Sequence, residues 1–176
     1  MNIQTVKSIL VIGEKLEYVL FNTAINCAKA GFPVWYISIF PFEKIPENIE
    51  IPEKDVLNLI TFIYLKDYQC LISHLNGIHL WRKTPHVILI DKFDLYCNIN
   101  EENYDPLIAA LLSTSVLDAS CSASRKSKRD IYLIITCKIQ NMFERRLITL
   151  RNLYFPKIFS HSVDLDTVEA LNDFIV

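Results

Sequence analysis

Six apolar runs rich in β-branched residues, separated by helical patterns, most constrain what this chain can become. They lie near 7–12 (KSILVI), 33–40 (PVWYISIF), 58–65 (NLITFIYL), 86–91 (HVILID), 130–137 (DIYLIITC) and 157–163 (KIFSHSV). Several are hydrophobic almost without interruption, as strands of a parallel sheet covered on both faces must be. Between them, apolar residues recur every three or four positions. Over 15–30, Leu16, Val19, Leu20, Ala24, Cys27 and Ala28 form such a stripe, with Gly31 and Pro33 placed to end it. A second helix is expected over 105–117, capped by Asp105, with Pro106 in its first turn and Leu107, Ile108, Leu111, Leu112 and Val116 on its buried side. Weaker helical patterns cover 67–78, 141–154 and 166–175. The alternation predicts an α/β fold, a mainly parallel sheet flanked by helices.

A chain of 176 residues, 51% of them hydrophobic, is expected to form one domain over 1–176. The segment 41–55 carries Pro41, Pro46, Pro52 and several carboxylates, and reads as a loosely extended surface loop, either linker or partner-facing. No apolar run approaches the roughly 20 residues of a membrane helix, and no secretory leader pattern opens the sequence. The expectation is an intracellular protein without membrane association. Cys27, Cys70, Cys97, Cys121 and Cys137 are never spaced C-x-x-C, so reduced thiols are expected, with neither a disulfide framework nor a metal site. Cys70, His74 and His79 are too irregularly spaced to read as ligands, and no Ser-His-Asp arrangement stands out.

The net charge of −2 argues against a chain coated in nucleic acid, but the charge is uneven. Between Arg125 and Arg151 there are eight basic and two acidic residues. Arg125, Lys126, Lys128 and Arg129 precede one apolar strand, and Lys138, Arg145 and Arg146 follow it. These seven are the candidates for contact with a DNA backbone. The alternative is that 125–130 is a solvated loop and 141–154 a helix with a polar outer face. The first group falls at the amino edge of the sheet and the second at the carboxyl edge.

The first strand runs into Gly13 and then a helix, where nucleotide-binding folds place a phosphate loop. The G-x-x-x-x-G-K-[ST] loop works because its glycines let amides curl around phosphates, its lysine neutralises charge and its hydroxyl holds magnesium. With Gly13 as the first glycine, Tyr18, Val19 and Leu20 occupy the positions of the second glycine, lysine and hydroxyl. Glu14 and Glu17 would repel phosphate, and Lys15 alone could reach one. The run 87–91 ends on Asp91, placed like an aspartate that holds a magnesium-bound water, with Asp94 following. Without the loop lysine, Asp91 reads first as a plain strand terminus. The run 131–137 ends in Thr136 and Cys137, followed by Lys138, Gln140 and Asn141, at the edge where open parallel sheets bind ligands.

This order of parts resembles the ATPase core of RecA-like recombinases and their paralogues. By its shortness and by Tyr154 to Pro156 after the last long helix, it is most similar to the small SWIM-domain-partner paralogue of Shu-type complexes. The resemblance implies a RecA-like P-loop NTPase core with a degenerate Walker A. It also implies that the strand at 131–137 lies between those at 7–12 and 86–91. It further implies a nuclear, non-catalytic scaffold without cofactor, which pairs with a SWIM-domain protein and supports recombinase filaments on single-stranded DNA in homologous recombination. In that reading the old nucleotide cleft is filled by side chains such as Tyr18. Thr136 matches the family's γ-phosphate-sensing strand end, whereas Cys137 and Lys138 depart from it. The alternative is a small ATPase or phosphotransferase that binds ATP and magnesium through Lys15 and Asp91 in a nonstandard loop.

Overall fold

The computed structural model describes residues 5–42, 45, 49–138, 140, 143–160 and 164–175. Six strands form one sheet: β1 (Val6–Ile12), β2 (Val34–Ser38), β3 (Ile60–Tyr64), β4 (Val87–Ile90), β5 (Ile131–Cys137) and β6 (Ile158–Ser160). Their order is β3-β2-β4-β5-β1-β6, and every pairing is parallel. The strand at 131–137 therefore does lie between its two expected neighbours, with Val6 opposite Ile131 and Val87 opposite Tyr132. All residues of β4 and β5 are buried, which explains their unbroken apolar runs.

Alternate residues serve the two faces. Ile9, Val11, Tyr36, Leu89 and Ile134 meet α1 (Glu17–Lys29) and α7 (Asp164–Ile175). Leu10, Trp35, Ile37, Ile88, Ile90, Leu133 and Ile135 meet α3 (Tyr68–Asn76), α5 (Pro106–Ser127) and α6 (Glu144–Tyr154). Two short helices, α2 (Lys54–Leu57) and α4 (Phe93–Tyr96), complete the set. Helix α1 ends as its sequence predicts. Gly31 takes φ +84°, its N–H reaches the Ala28 carbonyl at 2.9 Å, and the Phe32 N–H reaches Cys27 at 3.0 Å.

Three expectations need correction. Helix α5 does not stop near Leu117 but runs on to Ser127, so Arg125 and Lys126 are helical rather than part of a loop. Its buried stripe runs through Ala109, Leu112, Ser113 and Val116 and on through Ala119, Ser120, Ala123 and Ser124, small residues that carry little hydrophobic signal, whereas Leu107 and Leu111, expected on that side, are exposed. Ser113 and Ser120 satisfy their hydroxyls on carbonyls four residues back. At 22 residues, with mean hydropathy 1.4 over its best window, α5 is long and apolar enough to cross a membrane by length and composition. In this fold it is a layer of the core, with Leu112, Val116, Ala119 and Ala123 packed inward. Finally, 41–55 is not all loose surface. Phe42 stacks edge-on against Phe21 and Tyr36, with ring centroids 5.2 and 5.1 Å away, and Ile49 also packs on the core. Residues 43, 44 and 46–48 of that segment, and 161–163 of the last expected strand, lie outside the described residues.

The five cysteines are free thiols. Burial pushes Cys27 and Cys97 up to about 12, and Cys137 well above its usual value.

Candidate functional site

The carboxyl ends of β1, β4 and β5 meet in a cleft of about 350 Å3, at the edge where parallel α/β sheets place ligands. Three short segments build it, and each one closes on itself.

The β1–α1 connection is only Gly13 to Leu16 before the helix begins. The Gly13 N–H donates to the Cys137 carbonyl at 3.2 Å, extending the sheet ladder instead of curling around an anion. Lys15 makes the turn in the left-handed region at φ 54°, and Leu16 packs into the core. A phosphate loop of about eight residues cannot fit in this span. Tyr18, Val19 and Leu20, aligned with its functional end, already belong to α1. Val19 and Leu20 are buried in the core. Tyr18 is half-buried against that same core and does not line the cleft, so the expectation that Tyr18 fills it is wrong.

Charge lines the cleft instead. Lys92 Nζ lies 2.6 Å from Glu17 Oε1, and Lys138 Nζ lies 3.1 Å from Glu14 Oε1. Burial works against the charged form of both Lys92 and Glu17. Their contact prevails, leaving the lysine above its ordinary value and the glutamate below it. Lys15, Lys92 and Lys138 line the cleft together with Glu17, Asp91 and Asp94, so cations and carboxylates are matched. Only Lys15 among these lysines has no ion pair among the described residues.

Asp91, 3% exposed, stands at the end of β4 as the sequence predicts. Its Oδ1 accepts the Thr136 hydroxyl at 3.0 Å, and the Thr136 oxygen accepts the Lys92 N–H at 2.9 Å. Burial pushes the Asp91 carboxyl up to about 6, against the pull of Lys92 and Thr136. Lys92 follows in the left-handed region at φ 53° and turns the chain out of the sheet. Asp94 is also buried, and burial raises its carboxyl, while its Oδ1 accepts the Lys138 N–H at 2.9 Å. Both aspartates thus brace the loops at the mouth. The Asn100 side chain fixes the segment after β5, donating to the Lys138 carbonyl at 2.7 Å and accepting the Gln140 N–H at 3.0 Å. Asn141 lies outside the described residues.

The seven basic candidates do not form one surface. Arg125, Lys126, Lys128 and Arg129 lie at the end of α5, at the amino edge, while Lys138, Arg145 and Arg146 follow β5. Lys126 donates to the carbonyls of His79 and Trp81. Arg146 donates to the carbonyls of Ile99 and Glu101 and lies over the rings of Tyr104 and Phe143. Arg125 makes a loose, exposed contact with Asp118 at 4.0 Å and donates to the Ser122 hydroxyl at 3.4 Å. Lys128, Arg129 and Arg145 remain exposed without an ion pair among the described residues.

Motif reading had marked Glu14 and Glu17 as hostile to phosphate, but it missed Lys92 as a partner. Lys92 directly follows Asp91, yet its left-handed turn toward α1 leaves no mark in a sequence without glycine there. No protein-family model matches the chain, and no curated protein matches it.

Proposed function

We propose that this chain is a non-catalytic, RecA-like scaffold subunit that pairs with a SWIM-domain protein. In the nucleus it would support recombinase filament assembly or stability on single-stranded DNA during homologous recombination. The observation that carries the non-catalytic reading is the carboxyl-edge cleft, where Glu14 and Glu17 hold two of the three lysines that could meet a phosphate. The four-residue connection from Gly13 to Leu16 supports it too, since it is shorter than a phosphate loop and its Gly13 N–H is spent on the Cys137 carbonyl. The placing of β5 between β1 and β4 supports the RecA-like reading. The SWIM-domain and recombinase partners rest on the resemblance of the motifs. Because Lys126, Lys138 and Arg146 are engaged within the chain, action through protein partners is better supported than direct DNA contact.

Co-expression with a SWIM-domain protein is expected to give a stoichiometric complex that lengthens the lifetime of recombinase filaments on single-stranded DNA. A chain that stays alone in the presence of both proteins overturns the partner assignment.

The second reading, a small ATPase or phosphotransferase, draws on buried Asp91 and on Lys15, which has no ion pair among the described residues, at one cleft. It requires Mg-ATP to stabilise the fold, by roughly 2.7 kcal/mol at a hundred times the dissociation constant.

A further inference from the structure

The amino edge of the sheet carries an exposed surface of another kind. After α3, a single 3-10 turn, Ile78–Leu80, delivers Leu80 and Trp81 to the surface, 76% and 41% exposed. They rim a recess of about 510 Å3 that also takes in Thr61 of β3 and Trp35 of β2. Trp35 is only 4% exposed, and Trp81 meets it edge-on with ring centroids 5.3 Å apart. His74 closes the cluster, 5.1 Å from Trp35 and 5.0 Å from Trp81. Arg82 and Lys83 line this recess and also a second one of about 300 Å3, which continues to His86 and Arg129. Neither lining contains a carboxylate. Arg82, Lys83 and Arg129 have no ion pair among the described residues. Lys126 fastens the two parts together, since its ammonium at the end of α5 holds the carbonyls of His79 and Trp81.

We propose that this surface docks an acidic, extended segment of a partner protein through one large apolar side chain. The apolar residue would enter the Trp35–Trp81 recess, and neighbouring carboxylates would meet Arg82, Lys83 and Arg129. An apolar recess beside unpaired cations is what such a segment complements, with the buried knob giving most of the affinity and the charges giving orientation. A nucleobase fits less well. It needs a flat open ring to stack on, whereas the exposed ring here, Trp81, is already set edge-on against Trp35 and His74 and sits beside the aliphatic Leu80. The inference does not rest on the scaffold reading, because neither the carboxyl-edge cleft nor the resemblance enters it.

The chain has two tryptophans, and both line the recess, so its intrinsic emission reports occupancy directly. The probe is a short synthetic peptide of aspartate and glutamate around one phenylalanine. It is titrated beside a sibling with alanine for the phenylalanine, a sibling with lysine for the acids, and oligo-dT. The acidic phenylalanine peptide is expected to shift the emission saturably and to bind at least about tenfold more tightly than either sibling. The double variant Arg82→Glu/Lys83→Glu, at exposed positions, is expected to melt as the parent does and to lose about tenfold or more in affinity. Equal binding of the siblings, no emission shift, or unchanged affinity in the double variant overturns the proposal. Tighter binding of oligo-dT overturns it in favour of nucleic acid.

Discussion

At the carboxyl edge of the sheet, Lys92 and Lys138 end on Glu17 and Glu14 at 2.6 and 3.1 Å. At the amino edge, Arg82 and Lys83 flank exposed Leu80 and Trp81 and share the adjoining recess with Arg129, with no carboxylate in either lining. Both edges are concave and carry cations, but one neutralises its charge within the chain and the other leaves it for a partner. A cleft at the customary edge of a parallel sheet is therefore no guide to function until its charges have been paired off. Here the customary edge is self-satisfied, and the opposite edge has chemistry to offer.

The largest expected effect probes what neutrality costs the carboxyl edge. Asp91 titrates at about 6 in the fold, against 3.8 ordinarily, because it is buried. Its ionised form therefore costs up to roughly 3 kcal/mol. That cost is absent below the unfolded value of 3.8, develops as pH rises from there, and is complete above about 6. Asp91→Asn keeps an acceptor for the Thr136 hydroxyl and is expected to stabilise the chain by up to about 3 kcal/mol at pH 8. The gain should shrink toward zero near pH 3.8 in urea titrations. An equal gain at both pH values contradicts burial as the cause.

Thr136→Val tests the brace itself. Removing the hydroxyl strands the buried Asp91 oxygen and the Lys92 N–H, so a loss of about 1–3 kcal/mol is expected in the same titrations. A neutral result means that the Asp91–Thr136–Lys92 link does not hold the cleft.

A smaller effect compares two left-handed lysines, one at each edge. Lys128 ends α5 at φ 56° and Lys92 ends β4 at φ 53°. Lys128→Gly relieves the backbone and should stabilise by about 1 kcal/mol. Lys92→Gly should gain less, because it also gives up the half-exposed contact with Glu17, an interaction commonly below about 1 kcal/mol. Equal gains would show that the Lys92–Glu17 pair contributes nothing.

The smallest effect is a difference in pH slope. His74 sits in the Trp35–Trp81 cluster with its Nε2 buried and unpartnered, and burial lowers its pKa from 6.5. Its stabilising contribution is present above 6.5 and is lost as pH falls below that value toward its folded pKa. Asp91 changes in the opposite sense over an overlapping range. His74→Phe should flatten the acid-side loss, and an unchanged slope argues that the imidazole is hydrated.

The sheet could be read from the chain because β4 and β5 are buried on both faces, which only near-continuous apolar sequence allows. Gly31 and Asp105 ended and began helices where their chemistry predicts. The second half of α5 was hidden because it packs through serine and alanine, whose small surfaces give a weak periodic signal. The site was less legible. Aligning a phosphate loop on Gly13 assumed a loop length, and the chain closes in half of it, so Tyr18 is a helix residue and not a cleft residue. The turns at Lys15, Lys92 and Lys128 take positive φ without glycine, and local pattern gives no warning of that. The pairs Lys92–Glu17 and Lys138–Glu14 join segments far apart in sequence, so only the sheet order brings them together. Trp81, Arg82 and Lys83 were passed over because their significance depends on Arg129 and Trp35 arriving from other elements.

If ion pairs within the chain satisfy the lysines of the carboxyl-edge cleft, calorimetric titration of the full chain with Mg-ATP should give no saturable heat, with or without magnesium. Saturable, magnesium-dependent heat that disappears in Asp91→Ala would contradict it.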